Sequence, residues 1–419
     1  MEVVVKKSEV EGKAIPPPSK SYTHRAFFAA SLSKRAKVEN PLYAGDTLST
    51  LKACEFLGSK ISKSEEYVEF EGVDEINCRG YINVENSGTT LRILLGLLAQ
   101  SPEKSTADGD ESLRKRPNKS LAEALIKLGA DVKSDSPDYS APVSVRGRIK
   151  SGEVEMRAES SQFVTSLLHT LPLCDGDSEL RVVEVKSRPY IDITLHVLES
   201  AGIKVEVEEN KYIIPGGQRY NLRNFKVPSD FSSASYLIAA GLIAGKVIVE
   251  GMHDSMQGDR KIVEIAREMG GKVEWDRERG IIVAEKSELE GVEIDASDVP
   301  DLVPTLAVLS AVAEGKTVIK NAEHLRIKEI DRIKGCCENL KSLGVRVEER
   351  KDGFVVYGGN REISGTVDSF GDHRMALAFS LLGLVSEKGV RVKNAEVVSV
   401  SFPGYFDSLK GLGVRLEIH

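Results

Sequence analysis

Short polar motifs at the starts of apolar segments carry the residue types that bind phosphate and carboxylate groups. Lys20, Ser21 and Arg25 follow three prolines and open a helix-like run, with Ser21 and Arg25 four residues apart on one face. Backbone N–H groups, a hydroxyl and two cations at a helix N-terminus form an anion site. For this motif alone, a capped and solvated helix start is an equally good interpretation.

Three further motifs repeat this theme, although each is a weak signal alone. In NSGTTLR, Gly88 permits close backbone approach before an apolar helix. Ser160, Ser161 and Gln162 offer three side chains to a phosphate or hydroxyl, but a Ser-Ser pair is more often only a helix cap. Arg116 lies in the basic run SLRKRPNKS, for which a solvated surface is the ordinary interpretation.

Carboxylates accompany cations in the second half of the chain. RIKEIDR contains Lys328, Glu329 and Arg332, and GDHR contains Arg374. Asp301 leads an otherwise apolar helix and could be its N-cap or a general base. Structural ion pairs are the alternative for the first two motifs.

Six apolar helix-like runs begin at these and similar motifs, recurring about every 70 residues, which indicates six supersecondary units. They begin at Ser19, Asn86, Ser160, Phe231, Val299 and Gly371. Each unit also has a second helix that ends in glycine and leads into a strand: Gly58, Gly129, Gly202, Gly270, Gly344 and Gly413. The predicted N-caps of these second helices are Asp46, Asn118, Asp192, Asp259, Asp331 and Asp407. The apolar helices should be buried, and the second helices should expose a polar face.

Length fits two domains of three units each, because 419 residues suffice for two cores of about 200 residues. Breaks at PPPS and KVPSDF predict a C-terminal domain of residues 1–17 with 228–419 and an N-terminal domain of residues 18–227. The N-terminal segment MEVVVKKSEVEGKAI predicts a charged strand hairpin whose first strand pairs into the C-terminal domain.

Charge and cysteine content exclude several classes of protein. A net charge of −7 and a pI near 5.7 argue against general nucleic-acid binding. The five cysteines are odd in number and lack CxxC spacing, which favours reduced thiols in a cytoplasm over a zinc site or disulfide framework. The sequence shows neither a signal-peptide core nor an apolar run of roughly 20 residues, so we do not predict membrane targeting.

Over nearly its whole length the chain resembles the EPSP synthase family of enolpyruvyl transferases. The matching motifs are PPPSKSYTHR, NSGTTLR, KRPN, SSQF, KSRPYIDIT, SDFSSASY, VPDLVPT, RIKEIDR, GDHRMA and SFPGYF, in family order. The resemblance implies a two-domain inside-out α/β barrel of six β-α-β-α-β-β units with the active site between the domains. It implies transfer of the enolpyruvyl group of phosphoenolpyruvate to the 5-hydroxyl of shikimate 3-phosphate by a monomer, with phosphate released and without a metal or cofactor.

Carried over by position, the resemblance also implies roles for individual residues. The shikimate 3-phosphate ligands would be Lys20, Ser21, Arg25, Ser160, Ser161, Gln162, Ser187, Tyr190, Asp301 and Lys328, with Arg188 as an added phosphate contact. The phosphoenolpyruvate ligands would be Lys20, Gly88, Arg116, Gln162, Arg332 and Arg374. The catalytic residues would be Asp301 and Glu329, which transfer protons, and Lys20. Arginine forks match a phosphate and a carboxylate bidentately, and the reaction needs both an acid and a base.

Two positions depart from the family pattern, and two other activities remain as alternatives. Val400 stands where many members have lysine, and His324 stands where many have asparagine, so His324 could donate a hydrogen bond or simply pack. The related transferase that acts on UDP-N-acetylglucosamine has a reactive cysteine before an Arg-Pro pair, and the loop around Arg116 has none. A non-enzymatic anion-binding scaffold would leave Asp301 and Glu329 without a role.

Overall fold

The computed structural model, which describes residues 1–359 and 362–419, divides into two compact units. The split unit comprises Met1–Pro17 and Pro228–His419, and the continuous unit comprises Pro18–Val227. Within the described residues, no helix is long and apolar enough to cross a membrane.

The described residues form twelve α-helices and twenty-four strands. In chain order, α1 to α12 are Lys20–Ser31, Gly45–Phe56, Gly88–Leu98, Lys119–Lys127, Ser161–Thr170, Pro189–Ser200, Phe231–Ala244, Ile262–Glu268, Val303–Val312, Arg332–Ser342, His373–Ser380 and Tyr405–Gly411. Strands β1 to β24 are Val3–Val5, Val10–Ala14, Ala36–Glu39, Lys60–Lys63, Tyr67–Glu71, Gly80–Asn83, Ser105–Asp108, Asp131–Lys133, Val143–Arg146, Glu153–Arg157, Ser178–Val183, Glu206–Glu208, Lys211–Ile214, Asn224–Lys226, Gly245–Glu250, Lys272–Asp276, Ile281–Glu285, Glu293–Asp295, Lys316–Lys320, Arg346–Arg350, Gly353–Tyr357, Gly365–Asp368, Val390–Lys393 and Leu416–Ile418.

The strands form six four-stranded sheets in the described residues, and all six share one topology. In the sheet β6-β7-β9-β8, β6 and β7 are parallel and the other two pairings are antiparallel. The apolar helix α3 connects the parallel pair, and α4 follows the second strand. This is the β-α-β-α-β-β unit. Three sheets are built from one unbroken unit each, and the other three have the same pattern of strand pairings, which confirms the predicted fold class.

Three sheets take one strand from a distant part of the chain. β14 pairs in parallel with β3, β2 pairs in parallel with β15, and β1 lies between β23 and β24, antiparallel to both. The predicted N-terminal hairpin is therefore wrong, because β1 and β2 complete different sheets of the split unit. Alternating apolar residues signal a strand but not its partner.

The six apolar helices form as predicted, and the hydrophobic core of each compact unit is built around three of them. Every residue of α7 is buried, and in α3 the whole helix except Thr89 is buried. The glycines that follow the second helices all have positive φ angles, between 76° and 111°, which confirms their predicted role as C-terminal caps.

The predicted N-caps of the second helices are mostly wrong. Asp331 accepts a hydrogen bond from the backbone N–H of Lys334 at 3.0 Å and is a cap. Asn118 occupies the N-cap position, but its side chain makes no capping bond. Three others lie inside the first helical turn, where a carboxylate still interacts with the helix dipole: Asp46, Asp192 and Asp407. Asp259 lies before its helix, in the 3₁₀ helix Gly258–Lys261.

Candidate functional site

In the split unit, the buried guanidinium group of Arg332 binds three carboxylates. Its Nε donates to Asp372 Oδ2 at 2.6 Å, and its two amino groups donate to Asp301 Oδ1 at 2.8 Å and Glu329 Oε2 at 2.7 Å. Burial alone lowers the pKa of Arg332, but the three carboxylates outweigh it and raise the pKa above its ordinary value. We call these four residues the Arg332 cluster, and its arginine is charged at any physiological pH.

Asp301 bridges two arginines. Its second oxygen, Oδ2, accepts a hydrogen bond from Arg374 at 2.6 Å. Asp301 lies in the 3₁₀ helix Pro300–Leu302, directly before α9, whose N-cap position is occupied by Leu302. The N-cap alternative is therefore wrong. The predicted ion pairs do form, yet the side chains of Asp301 and Glu329 keep 14% and 22% of their surface exposed.

Asp372 fixes the start of α11 and one side of Arg332. It is fully buried, and its Oδ1 accepts the backbone N–H of Arg374 at 2.9 Å as the N-cap of α11. Arg374 Nη1 lies 3.5 Å from the hydroxyl of Tyr236. Asp372 was not among the predicted ligands, although the GDHR motif contains it.

In the continuous unit, Arg116 lies beside the bare backbone of Gly88. A Cβ atom on Gly88 would lie 3.2 Å from Arg116 Nη1 and 3.7 Å from Gln162 Oε1. Arg116 donates to the carbonyl and side-chain oxygens of Asn86 at 3.3 and 2.6 Å, and to Ser112 Oγ at 3.1 Å. Its Nε is buried without a hydrogen-bond partner among the described residues. Arg116 is only 6% exposed, so it is not part of a solvated basic run.

Arg92 positions Gln162, a role that the sequence did not assign to it although it belongs to the NSGTTLR motif. One amino group of Arg92 donates to Gln162 Oε1 at 2.6 Å, and its Nε donates to Asn118 Oδ1 at 3.1 Å. Gln162 Nε2 in turn donates to Thr89 Oγ1 at 3.0 Å. The amide of Gln162 is therefore held at both ends, and the NSGTTLR motif was the available signal for Arg92.

The start of α1 supplies one ion pair and one buried arginine. Lys20 Nζ lies 2.8 Å from Asp46 Oδ2, and both side chains are largely buried. Arg25 is 1% exposed and donates to Thr194 Oγ1 at 2.7 Å and to the carbonyl of Ser21 at 2.8 Å. Burial lowers its pKa to about 10, which leaves it charged at neutral pH. A solvated helix start is therefore wrong for Arg25.

The remaining predicted ligands of the continuous unit lie at or near the starts of three of its helices, α1, α5 and α6. Arg25 also donates to Thr165 of α5 at 3.3 Å and to the carbonyl of Tyr190 in α6 at 3.1 Å, so α1, α5 and α6 pack together. The predicted ligands around these helix starts are Ser21, Ser160, Ser161, Ser187, Arg188 and Tyr190. In the split unit, Lys328 directly precedes Glu329. His324 is buried in the 3₁₀ helix Glu323–Ile327, and Val400 ends the 3₁₀ helix before α12.

Comparisons with known proteins agree over the whole chain. The model of the EPSP synthase (3-phosphoshikimate 1-carboxyvinyltransferase) family matches residues 4–409. The 3-phosphoshikimate 1-carboxyvinyltransferase of Archaeoglobus fulgidus is 64% identical over 416 residues, 99% of either chain, and that of Methanothrix thermoacetophila is 43% identical over 421 residues, covering 100% of this chain and 99% of the relative. The structure of EPSP synthase from Acinetobacter baumannii has a TM-score of 0.84 at 28% identity, with both chains fully covered. The enolpyruvyl transferase NikO from Streptomyces tendae, with a TM-score of 0.79 at 17% identity over 99% of this chain and 98% of its own, shares the fold.

Proposed function

The chain belongs to the EPSP synthase family, and on this premise we propose that it transfers the enolpyruvyl group of phosphoenolpyruvate to the 5-hydroxyl of shikimate 3-phosphate, releasing phosphate. The observation that carries the proposal is the Arg332 cluster with Arg374. It places two partly exposed carboxyl groups, Asp301 and Glu329, on one guanidinium group. An anion-binding scaffold would need the arginines but not these carboxyl groups.

The proposed phosphoenolpyruvate ligands are Lys20, Gly88, Arg116, Gln162, Arg332 and Arg374. Phosphoenolpyruvate carries a phosphate and a carboxylate, and guanidinium groups bind both with paired, charge-assisted hydrogen bonds. Arg116 supports this role because its described hydrogen bonds go to neutral oxygens, so its charge is not balanced by a carboxylate.

The proposed shikimate 3-phosphate ligands are those that the family resemblance implies. Arg25 supports the assignment, because its hydrogen bonds within the described residues also go to neutral oxygens and it remains charged at neutral pH despite its burial. Ser160 and Ser161 support it through their position at the start of α5, where a helix N-terminus favours an anion.

Asp301 and Glu329 are the proposed proton-transfer groups. Protonation of the methylene carbon of phosphoenolpyruvate gives C2 cationic character, and the attacking hydroxyl must lose its proton. One carboxyl group can supply the first proton while the other accepts the second. Their shared contact with Arg332 supports this division, because the guanidinium stabilises whichever carboxyl group is ionised.

The two compact units are the proposed domains, and one chain carries every proposed ligand, which supports a monomeric enzyme. All five cysteines are free and buried, which supports a reducing cytoplasm as its location.

A phosphate-release assay tests the proposed function. With phosphoenolpyruvate present, we expect release with shikimate 3-phosphate and none with UDP-N-acetylglucosamine as acceptor. Release with the UDP-sugar alone would assign the chain to the related activity, and release with neither acceptor would contradict an enolpyruvyl transfer of either kind.

A further inference from the structure

The carboxyl group of Asp259 is also buried in the split unit, outside the Arg332 cluster. Asp259 is 3% exposed and lies in the 3₁₀ helix before α8. Its Oδ2 accepts a hydrogen bond from the hydroxyl of Ser232. Its Oδ1 is buried and has no hydrogen-bond partner among the described residues. An ionised carboxylate needs more than one donor when it is buried, so this environment favours the neutral acid.

The charges around Asp259 also favour the neutral acid. The 3₁₀ helix before α9 contributes Asp301, the N-cap of α7 contributes Asp230, and α11 contributes Arg374 as the cation. Arg374 is already bound to Asp301 at 2.6 Å. The cations on the same short helix as Asp259 have other acidic partners: Arg260 lies 2.6 Å from Asp254, and Lys261 lies 3.9 Å from Asp298.

The pKa of Asp259 reflects this balance. Burial and the charge of Asp301 raise it, whereas Ser232 and Arg374 lower it, and the outcome is a pKa of about 7. Ser232, the partner of Asp259, lies one turn of α7 from Tyr236, whose hydroxyl is 3.5 Å from Arg374 Nη1. A carboxyl group placed so and titrating near neutral pH can change its charge when that arginine binds an anion.

We propose that Asp259 is a positioning residue in the electrostatic field of Asp301 and Arg374: it is partly ionised in the free protein at neutral pH and becomes fully protonated when phosphoenolpyruvate binds. Ionised Asp259 competes with the substrate for the charge of Arg374, whereas neutral Asp259 leaves that charge to the substrate. The identity of the anion rests on the proposed function. The protonation of Asp259 in the folded chain does not.

The first experiment is independent of activity. A group whose pKa is raised by folding stabilises the protein below its unfolded pKa of about 4, and this contribution is lost as the pH rises toward 7. Asp259→Asn removes the titrating group. The melting temperature of the variant minus that of wild type should therefore increase by on the order of 5 °C between pH 4.5 and pH 7.5. Asp254→Asn makes the same change at a partly exposed carboxylate and should shift the difference little.

The second experiment measures the substrate. The KM for phosphoenolpyruvate is measured at pH 6 and pH 8.5 for both proteins. The factor by which it rises should be at least about threefold larger for wild type than for Asp259→Asn. The phosphate of the substrate itself ionises near pH 6, but it affects both proteins equally. Because the variant could fold poorly, proton uptake by wild type on adding phosphoenolpyruvate alone is measured with an indicator dye near pH 7.5, where the phosphate of the substrate is already largely ionised, and we expect net uptake.

The following outcomes would contradict the proposal for Asp259. Parallel stability curves for wild type and Asp259→Asn would show that Asp259 does not hold a proton in the folded chain. Parallel KM profiles, or no proton uptake by wild type, would show that it does not respond to the substrate. If wild type releases no phosphate with either acceptor, the proposed function fails, and the stability comparison still decides whether Asp259 is protonated.

Discussion

The arginines proposed to bind phosphoenolpyruvate fall into two electrostatic classes. The described hydrogen bonds of Arg116 go to neutral oxygens, so an anion there displaces no carboxylate. Arg332 and Arg374 hold carboxylates, so an anion must share them with Asp301, Glu329 and Asp372. Substrate binding at the second class must change the charge balance of the acids, which couples binding to proton transfer.

Arginine geometry should matter more than arginine charge at these positions. Arg116→Lys and Arg374→Lys keep the charge but lose the planar fork, so the KM for phosphoenolpyruvate should rise about 10- to 100-fold, with a much smaller change for shikimate 3-phosphate. Steady-state kinetics with each substrate varied in turn makes the comparison. Arg114→Lys is the control from the same loop, because Arg114 is half exposed and binds Asp108. Equal changes in both KM values would count against the assignment.

Asp301 and Glu329, the partly exposed acids of the Arg332 cluster, should affect turnover more than binding. Asp301→Asn and Glu329→Gln should lower kcat by roughly two to four orders of magnitude, because a proton can no longer be transferred at that position. Calorimetry should still detect binding of shikimate 3-phosphate, which also shows that the variants are folded. Glu338→Gln, an exposed change on α10, should leave kcat unaltered. Near wild-type turnover in either acid variant would make that residue structural only.

Gly88 should tolerate no side chain without loss of substrate affinity. An added Cβ atom would lie 3.2 Å from Arg116 Nη1, so Gly88→Ala should displace the guanidinium group and raise the KM for phosphoenolpyruvate about 10-fold or more. Gly45 is also the first residue of its helix, but a Cβ atom there would meet nothing within 4 Å. Kinetics of Gly45→Ala therefore provide the control, and equal KM values for both variants would exclude the steric explanation.

Residue types in the sequence located the polar motifs but not every working side chain within them. Arg92, Asp372 and Asp259 all lie in or near segments that the sequence singled out, yet their importance depends on contacts over long stretches of chain. Arg92 reaches Gln162, 70 residues away, and Asp259 reaches Ser232, 27 residues away. Composition and spacing within a motif contain no information about such partners.

At the scale of elements, close packing of α3 on α5 brings two of the predicted binding motifs together. A Cβ atom on Gly96 would lie 2.4 Å from Ser166 Oγ and 2.5 Å from Thr170 Oγ1, so the helices approach as closely as glycine allows. Ser166 Oγ donates to the carbonyl of Arg92 at 2.6 Å. The contact therefore sets the distance from the NSGTTLR motif to Gln162.

Gly96→Ala should separate these two helices. We expect a loss of about 1–3 kcal/mol in the free energy of unfolding, together with a raised KM for phosphoenolpyruvate, because the positions of Gly88 and Gln162 depend on the helix contact. Denaturant unfolding measures the first effect. Gly411→Ala in α12 is the control, since its Cβ would meet nothing within 4 Å and helix propensity should make it neutral or slightly stabilising. A Gly96→Ala variant as stable as wild type would contradict the predicted clash.

Helix positions were predictable because apolar periodicity and terminal glycines are local signals. N-caps were predicted poorly, since an acidic residue is favourable both at the cap and in the first turn, and the sequence does not separate the two. At the scale of the whole molecule, the prediction that the first strand pairs with the C-terminal part of the chain is confirmed, but the particular sheets that β1, β2 and β14 complete could not be predicted. Each strand joins a sheet whose other strands are distant in sequence, and pairing over such separations leaves no local pattern.

The two units contain buried titratable groups whose effects on stability have opposite signs. His24 and His169 are buried in the continuous unit, and burial lowers the pKa of His24 well below 6.5 and that of His169 to about 3. Unfolding lets both take up protons below pH 6.5, so both cost stability in acid, and for His169 the cost at pH 5 is on the order of 2 kcal/mol. Asp259 in the split unit has the opposite effect. Its raised pKa stabilises the folded state in acid, and this stabilisation is lost as the pH rises toward 7.

Acid should therefore weaken the continuous unit before the split unit. The chain has one tryptophan, Trp275, which lies in the split unit with its ring centroid 5.3 Å from that of Phe231. Its fluorescence reports on the split unit, whereas far-ultraviolet circular dichroism reports on both. In urea at pH 5, the dichroism transition should begin at a lower concentration than the fluorescence transition, and the gap should shrink at pH 7.5.

His169→Leu tests the cause of that gap. Both ring nitrogens of His169 are buried and have no hydrogen-bond partner in the described part of the chain, so leucine removes the protonation site without breaking a hydrogen bond seen there. The variant should narrow the gap at pH 5, because the unfolded continuous unit then takes up one proton fewer. His419→Leu at the exposed C-terminus should leave the gap unchanged. Coincident transitions at both pH values in wild type would mean that the units unfold together, and the opposite titrations would then cancel within one cooperative transition.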